Sequence, residues 1–189
     1  VVFEAYGEDA YTRGITVWTT VRKVDQEAAW AAVRRGVLDY DRRHGYRGPE
    51  GFINLPADPA ERELALDRAF QEIQDSENLV AAVVLETSAT EVKAVVASGD
   101  VLAISGDGLR FVARHLTDKT PAAQRLRPGA IVRLTQDDKG RWSIAQLPQA
   151  EAALVAMAPG DGAILALVGG FDHERNKFNH VTQAQRQPG

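Results

Sequence analysis

The chain has 189 residues, 44% of them hydrophobic and 25% charged, the composition of an ordinary globular protein rather than a disordered one. Its net charge of -4 argues against a basic nucleic-acid domain. The absence of cysteine excludes a disulfide scaffold, a thiol nucleophile and any cysteine-ligated zinc or iron–sulfur site. No apolar run approaches the roughly 20 residues that span a bilayer. With no initial methionine or signal peptide, and with ends at Val1-Val2-Phe3-Glu4 and Arg186-Gln187-Pro188-Gly189, the sequence reads as an excised segment of something longer.

In chain order, Gly14–Val21 alternates and is rich in β-branched residues, which predicts a strand. Asp25 is placed as the cap of a helix running to His44-Gly45, with Trp30, Val33, Val37 and Leu38 as its buried stripe. Tyr46–Ala57 reads as a loop. Asp58, Pro59 and Glu61 form a capping pattern for a second helix that ends near Ser76, with Leu66, Phe70 and Ile73 on its apolar face. From Leu79 the hydrophobic period shifts to two. Leu79–Glu86, Glu91–Ala97 and Val101–Ser105 are predicted strands, and Leu109–Leu116 a short helix capped by Asp107. A polar loop covers Thr117–Gly129. Ala130–Gln136 and Arg141–Leu147 are two more strands, joined by the turn Asp137–Gly140. Five strands with a helix between the third and fourth suit a partly open Greek-key barrel of the OB type. Ala152–Met157 and Ala163–Val168 then form a hairpin so apolar on both arms that it is expected within a sheet covered on both faces. The predicted class is α+β, largely β: a five-stranded OB-like barrel inserted between a strand–helix element and a β-hairpin.

No catalytic set emerges from the residues alone. Asp39, Asp41, Arg42, Arg43 and His44 read as an acid–base cluster or, more simply, as a solvated helix end. His173, Glu174 and His180 lack any zinc-motif spacing, so no metal site is assigned, and no cofactor is expected. The Gly-Asp turns match no phosphate-binding loop. Arg133, Arg141 and Trp142 offer a basic–aromatic surface for a single strand of nucleic acid. Alternation instead puts Trp142 on the core face with Ile144 and the arginines on the solvent side, and the net acidity argues the same way.

Several runs carry a family resemblance. They are Ala152-Ala153-Leu154-Val155-Ala156-Met157, Gly162-Ala163-Ile164-Leu165-Ala166-Leu167-Val168-Gly169-Gly170, and Phe178-Asn179-His180-Val181-Thr182-Gln183 on to Gly189. Leu38-Asp39-Tyr40-Asp41-Arg42-Arg43-His44-Gly45-Tyr46-Arg47-Gly48-Pro49-Glu50 is a very specific run. Together with Gly14–Thr20 they resemble class A penicillin-binding proteins of the 1A type. One departure is Ala158, where that family usually has Asp before the Pro of the hairpin turn.

The resemblance implies a bifunctional peptidoglycan synthase, a glycosyltransferase joined to a serine-type, penicillin-sensitive DD-transpeptidase. Residues 1–45 would be a linker and the first strand and helix of the transpeptidase domain. Residues 46–150 would be the OB-like docking domain with a preceding helix, and 151–189 the hairpin and the segment leading to the nucleophile. That serine is expected just after Gly189, in a Ser-x-x-Lys motif, so this chain holds no catalytic residue. Asn179 and Arg186 would lie on the approach to the transpeptidase site. The implied partner is an outer-membrane lipoprotein activator. Its candidate docking surface is Leu116, Asp118, Lys119, Arg125 and Arg127, together with the helix from Pro59 to Ser76. Peptidoglycan precursors and β-lactams would bind only elsewhere in the parent, which would be anchored in the inner membrane and face the periplasm. No nucleic acid partner is expected. The alternatives are a module that binds glycan or another polymer, and a structural spacer between catalytic domains.

Overall fold

A computed structural model describes residues 2–185. Two short helices, α1 (Val2–Tyr6) and α2 (Asp9–Thr12), bury none of their residues. The Gly14–Val21 strand does not form. This segment is extended, but it meets a partner only at its end, where the Thr20 hydroxyl donates to Ile164 O at 2.6 Å and Arg22 N to Leu165 O at 2.9 Å. Without a neighbour its side chains stay out, and Trp18 is 88% exposed.

Helix α3 (Lys23–Arg43) starts two residues before Asp25, because Arg22 is extended and pinned to Leu165. Asp25 lies in the first turn and binds the Arg22 guanidinium. The buried stripe is Ala29, Val33, Arg34, Val37 and Asp41. Trp30, expected inside, is 40% exposed, and Arg34 takes the interior position one turn later. The helix ends as predicted, with Arg42 and Arg43 in its last turn and Gly45 at φ +87°.

Helix α4 (Pro59–Glu72) is capped by Asp58, whose carboxylate accepts from Ala60 N and Glu61 N at 3.0 Å. It ends before Ser76, and only Ala69 is buried. The Leu66, Phe70 and Ile73 face is half-covered.

The larger sheet has six strands, not five: β1 (Gly51–Phe52), β2 (Val80–Thr87), β3 (Glu91–Val96), β4 (Val101–Ser105), β5 (Ala130–Gln136) and β6 (Trp142–Ala145). The added strand β1 lies within the expected loop. It pairs with the start of β5 (Gly51 with Ile131), while β6 pairs with the rest of the same edge (Arg133 with Ala145). Along the other edge run β2, β3 and β4, all antiparallel. The sheet is OB-like but not closed by hydrogen bonds between β4 and β6. A 3-10 helix, Gly106–Leu116, fills that seam, and Gly108 packs so tightly that a Cβ would lie 2.3 Å from Trp142 O. Asp107 does not cap it. The alternation predicts the core well: Ala82, Val84, Val92, Ala94, Ile104, Val132, Leu134 and Ile144 fill it, with Trp142 packed against them.

Strands β7 (Leu154–Met157) and β8 (Ile164–Val168) form a separate two-stranded sheet. One face packs on α3, where Ala166, Val168 and Phe171 meet Ala29, Val33 and Val37 in a second core. The other face is not covered as the apolar pattern predicts: Val155 and Met157 are 45% and 55% exposed. In the turn, Asp161 does what an Asp at 158 would do, its carboxylate accepting from Ala163 N at 3.0 Å. No helix among the described residues is long and apolar enough to cross a membrane.

Candidate functional site

The loop after the 3-10 helix is polar, yet it is fastened down. The Thr117 and Thr120 hydroxyls donate to Arg114 O at 3.1 and 2.6 Å. Leu126 N donates to His115 O at 2.8 Å, and the Leu126 side chain is buried in the OB-like core. Leu116 is half-buried against the same core. Asp118 is fully exposed and pairs with Arg125. Lys119 is exposed, and Arg127 lies over the Phe52 ring at 4.1 Å. The structure therefore brings Asp118 and Arg125 together on an exposed rim, leaves Lys119 beside them, and turns Leu116 inward.

The loop rests on the segment that follows α3. The buried Tyr46 ring stands edge-on to His115 at 5.0 Å and to Phe111 at 5.5 Å. A Cβ on Gly48 (φ +113°) would lie 3.1 Å from Gln124 Cα. Burial, then the nearby Glu50, pushes the Tyr46 phenol above its ordinary range. Burial, then the Arg114 charge, holds the His115 imidazole below its usual value, and its Nδ1 is buried with no hydrogen-bond partner among the described residues.

Three buried polar ties join the OB-like sheet to its flanks or to the segments that lead into it. Asp41 Oδ1 accepts from Arg47 Nη1 at 2.6 Å, and Oδ2 from Gln146 Nε2 at 2.6 Å. Gln146 Oε1 accepts from Arg47 N at 3.0 Å, and Arg47 Nη2 donates to Leu147 O at 2.7 Å. Thus the chain entering the sheet unit and the chain leaving it share one carboxylate. In the second tie Arg34 donates to Phe171 O (3.1 Å), Ser76 O (3.2 Å) and Asn78 Oδ1 (2.8 Å), with its guanidinium 4.2 Å from the Phe171 ring. The Ser76 hydroxyl donates to Asp172. Burial alone would raise the Asp172 carboxyl; the Ser76 hydroxyl, the N–H groups of Arg175 and Glu174 and the Arg34 charge outweigh it and hold it below the usual range. Desolvation lowers Arg34 from its ordinary value, against the pull of Glu77 and Asp172.

The third tie corrects the sequence reading, which puts Arg133 on the solvent side. Arg133 is buried, because its fork meets both Glu50 oxygens (2.7 and 2.8 Å) and Gln74 O (2.5 Å). Arg141 does stay outside, paired with Asp137.

The Asp39–His44 cluster is not assembled: Asp41 faces inward to Arg47, while His44 Nδ1 meets Tyr40 O at 2.8 Å. Asn179 organises its own turn. Its Oδ1 accepts from Val181 N at 2.9 Å, and its side chain sits against Gly169, where a Cβ would lie 2.6 Å from that oxygen. Arg186 lies outside the described residues. His173 and Glu174 are exposed, and Asp172 holds their turn through Glu174 N at 3.0 Å. Sequence reasoning missed Arg34, Arg47, Glu50 and Gln146 as structural residues. One signal was present: Arg34 and Asp41 fall on the helical stripe of Val33 and Val37, where a charge has to find a partner.

Residues 46–150 match the family model for the penicillin-binding protein OB-like domain. The chain belongs to that family. The full chain is 38% identical to penicillin-binding protein 1A of Neisseria lactamica and 35% identical to penicillin-binding protein 1A of Escherichia coli K12, covering 100% of this chain and 23% of each relative. The crystal structure of penicillin-binding protein 1A from Haemophilus influenzae superposes with a TM-score of 0.79 at 34% identity, over 96% of this chain and 26% of that one. The chain thus spans about a quarter of the length of the proteins it matches. The OB-like match begins at Tyr46 and ends at Ala150, just outside the two chain crossings that Asp41, Arg47 and Gln146 hold together.

Proposed function

We propose that this chain is a non-catalytic docking segment of a bifunctional peptidoglycan synthase, a glycosyltransferase and penicillin-sensitive DD-transpeptidase anchored in the inner membrane and facing the periplasm. The transpeptidase nucleophile would follow Gly189, and peptidoglycan precursors and β-lactams would bind elsewhere in the longer protein. The OB-like unit would receive an outer-membrane lipoprotein activator on the rim carrying Asp118, Lys119 and Arg125.

One observation carries this reading. The rim loop is packed on residues 46–52, immediately after α3, through Tyr46–His115, Gly48–Gln124 and Phe52–Arg127. A partner that shifts the loop would therefore act on α3, and α3 packs on the hairpin that, in this reading, leads toward the nucleophile. Loops held on a rigid scaffold are also where binding residues concentrate.

The test is an NMR titration of the 15N-labelled chain with the source organism's outer-membrane lipoproteins. Amide shifts at Asp118, Lys119 and Arg125 that are lost in K119E/R125E support the reading. A saturating titration that moves no resonance overturns it. A spacer would give that second result, and would also keep its regulation when the insert is deleted from the parent.

A further inference from the structure

A groove of about 420 Å³ runs along α3, floored by Leu38, Leu79, Phe111 and Ala145. A second cavity of about 720 Å³ continues it past Arg42, Phe111 and Thr135, which line both. The polar groups at the first groove's floor are already engaged: Asn78 Oδ1 accepts from Arg34, and both amide groups of Gln146 are used in the Asp41 tie. What remains for a ligand is apolar surface and charge. The charge is positive, although the chain as a whole is at -4. Arg34 gives its hydrogen bonds to neutral acceptors and is offset by the nearby Glu77 and Asp172, and Asp41 is neutralised by Arg47, so the positive charge left to a ligand is that of Arg35 and Arg42. The Arg35 and Arg42 side chains line the wall and have no hydrogen-bond or ion-pair partner among the described residues. They stand seven residues apart on one helix, about 10 Å along its axis. Asp39 lies between them in sequence and pairs with neither, so a carboxylate is repelled from the middle of the wall and drawn to its two ends.

We infer that this groove binds an extended acidic peptide segment of a protein partner, with an apolar side chain on the floor between two carboxylates held by Arg35 and Arg42. In an extended chain, residues two apart share a face at about 3.3 Å per residue, so an acid–apolar–acid pattern at positions 1, 3 and 5 spans about 13 Å and matches the two arginines with their long side chains. A sugar polymer would find few unengaged hydrogen-bonding groups on this floor. The site rests on the reading that the unit docks a protein partner, and it adds a second contact away from the Asp118–Arg125 rim.

The test uses the 15N-labelled 189-residue chain and the peptide acetyl-Glu-Ala-Leu-Ala-Glu-amide at 50 mM salt. The expected result is saturable shifts at the amides of Arg34, Leu38, Asn78 and Thr135. R35Q and R42Q each weaken binding about three- to five-fold, the range of an exposed ion pair. R43Q has no effect, because Arg43 lines a different groove on α3. Binding is lost at 500 mM salt, where surface charges are screened, and lost when both glutamates of the peptide are replaced by glutamine. No shift at several millimolar peptide overturns the inference. So does binding that survives in R35Q/R42Q or with the glutamine peptide, or that falls equally in R43Q. Lipoprotein shifts at Asp118–Arg125 without peptide shifts in the groove overturn this inference and leave the docking reading intact. The reverse pattern overturns the rim and keeps the groove.

Discussion

Replacing Arg34 by methionine tests whether the buried ties hold the two cores together. Arg34 is 4% exposed, and its loss leaves Phe171 O without a donor, while Ser76 O keeps the N–H of Leu79 at 2.9 Å. That unsatisfied carbonyl costs about 1–3 kcal/mol. The lost stacking on Phe171 at 4.2 Å adds about 1 kcal/mol. The relief of not burying a guanidinium is offset by the loss of its charge beside the buried Asp172 carboxylate. Methionine keeps most of the apolar stem, so little packing is lost. The balance is a destabilisation of about 2–4 kcal/mol, read by urea unfolding with the slope held constant, or about 4–16 °C in Tm for a chain of this size. Arg34→Lys keeps the charge but only part of the fork, and falls about midway. A methionine variant as stable as the parent, or more stable, would refute the reasoning: the Phe171 carbonyl would then be satisfied by another route, and the desolvation cost of the charge would exceed what its bonds return.

Further expectations follow from local features. Asp58→Ala removes both cap bonds to α4 and costs about 1 kcal/mol in chemical unfolding, with a loss of far-UV helical signal, since α4 has little burial to hold it. Gly129→Ala places a Cβ 2.2 Å from Ile53 O at φ +86°, so β1 must leave β5; stability falls by more than about 2 kcal/mol, and the amides of Glu50 and Ile53 lose hydrogen-exchange protection. His115 is held below the ordinary 6.5, so as pH falls through that value the unfolded chain takes up a proton before the folded one does. This contribution is fully present above 6.5 and lost below it, down to the folded value. His115→Gln flattens that part of the stability–pH curve, and an unchanged slope would count against the burial of the ring.

The features legible in the sequence were those whose causes are local. Asp58-Pro59 caps α4 by bonds to residues two and three positions on. The apolar runs of β2, β3 and β5 announce strands, and alternate residues of each fill the core, although Ala81, Val83 and Arg133 between them are buried as well. The misreadings share a different cause. Gly14–Val21 has a strand's pattern, but a strand needs an edge, and β8 offers one only to Thr20 and Arg22. Gly51–Phe52 has no pattern at all; it pairs because Gly129 lets Ile53 approach, 76 residues away in the chain by position number. Trp30 yields the interior to Arg34 because the acceptors for that guanidinium come from residues 42, 44 and 137 positions distant. A hydrophobicity pattern cannot register such partners.

The candidate site divides along the same line. That Thr117–Arg127 is a polar loop follows from composition; that Leu126 and Leu116 anchor it, and that it leans on Tyr46, follows only from tertiary packing. The three ties share one property that bears on how a docking event would be transmitted. Asp41–Arg47–Gln146, Arg34–Ser76–Asp172 and Glu50–Arg133 each contain a charged side chain at least nine-tenths buried, at a junction between the sheet unit and its flanks or the segments leading into it. Apolar contacts tolerate sliding, whereas a bidentate or forked hydrogen-bond set has one arrangement and a steep loss on leaving it. A unit joined this way turns with α3 rather than swinging freely on a linker. If a partner docks at the Asp118–Arg125 rim as proposed, the contacts through residues 46–52 and the Asp41 carboxylate would carry its push into α3, and from there into the sheet that packs on it.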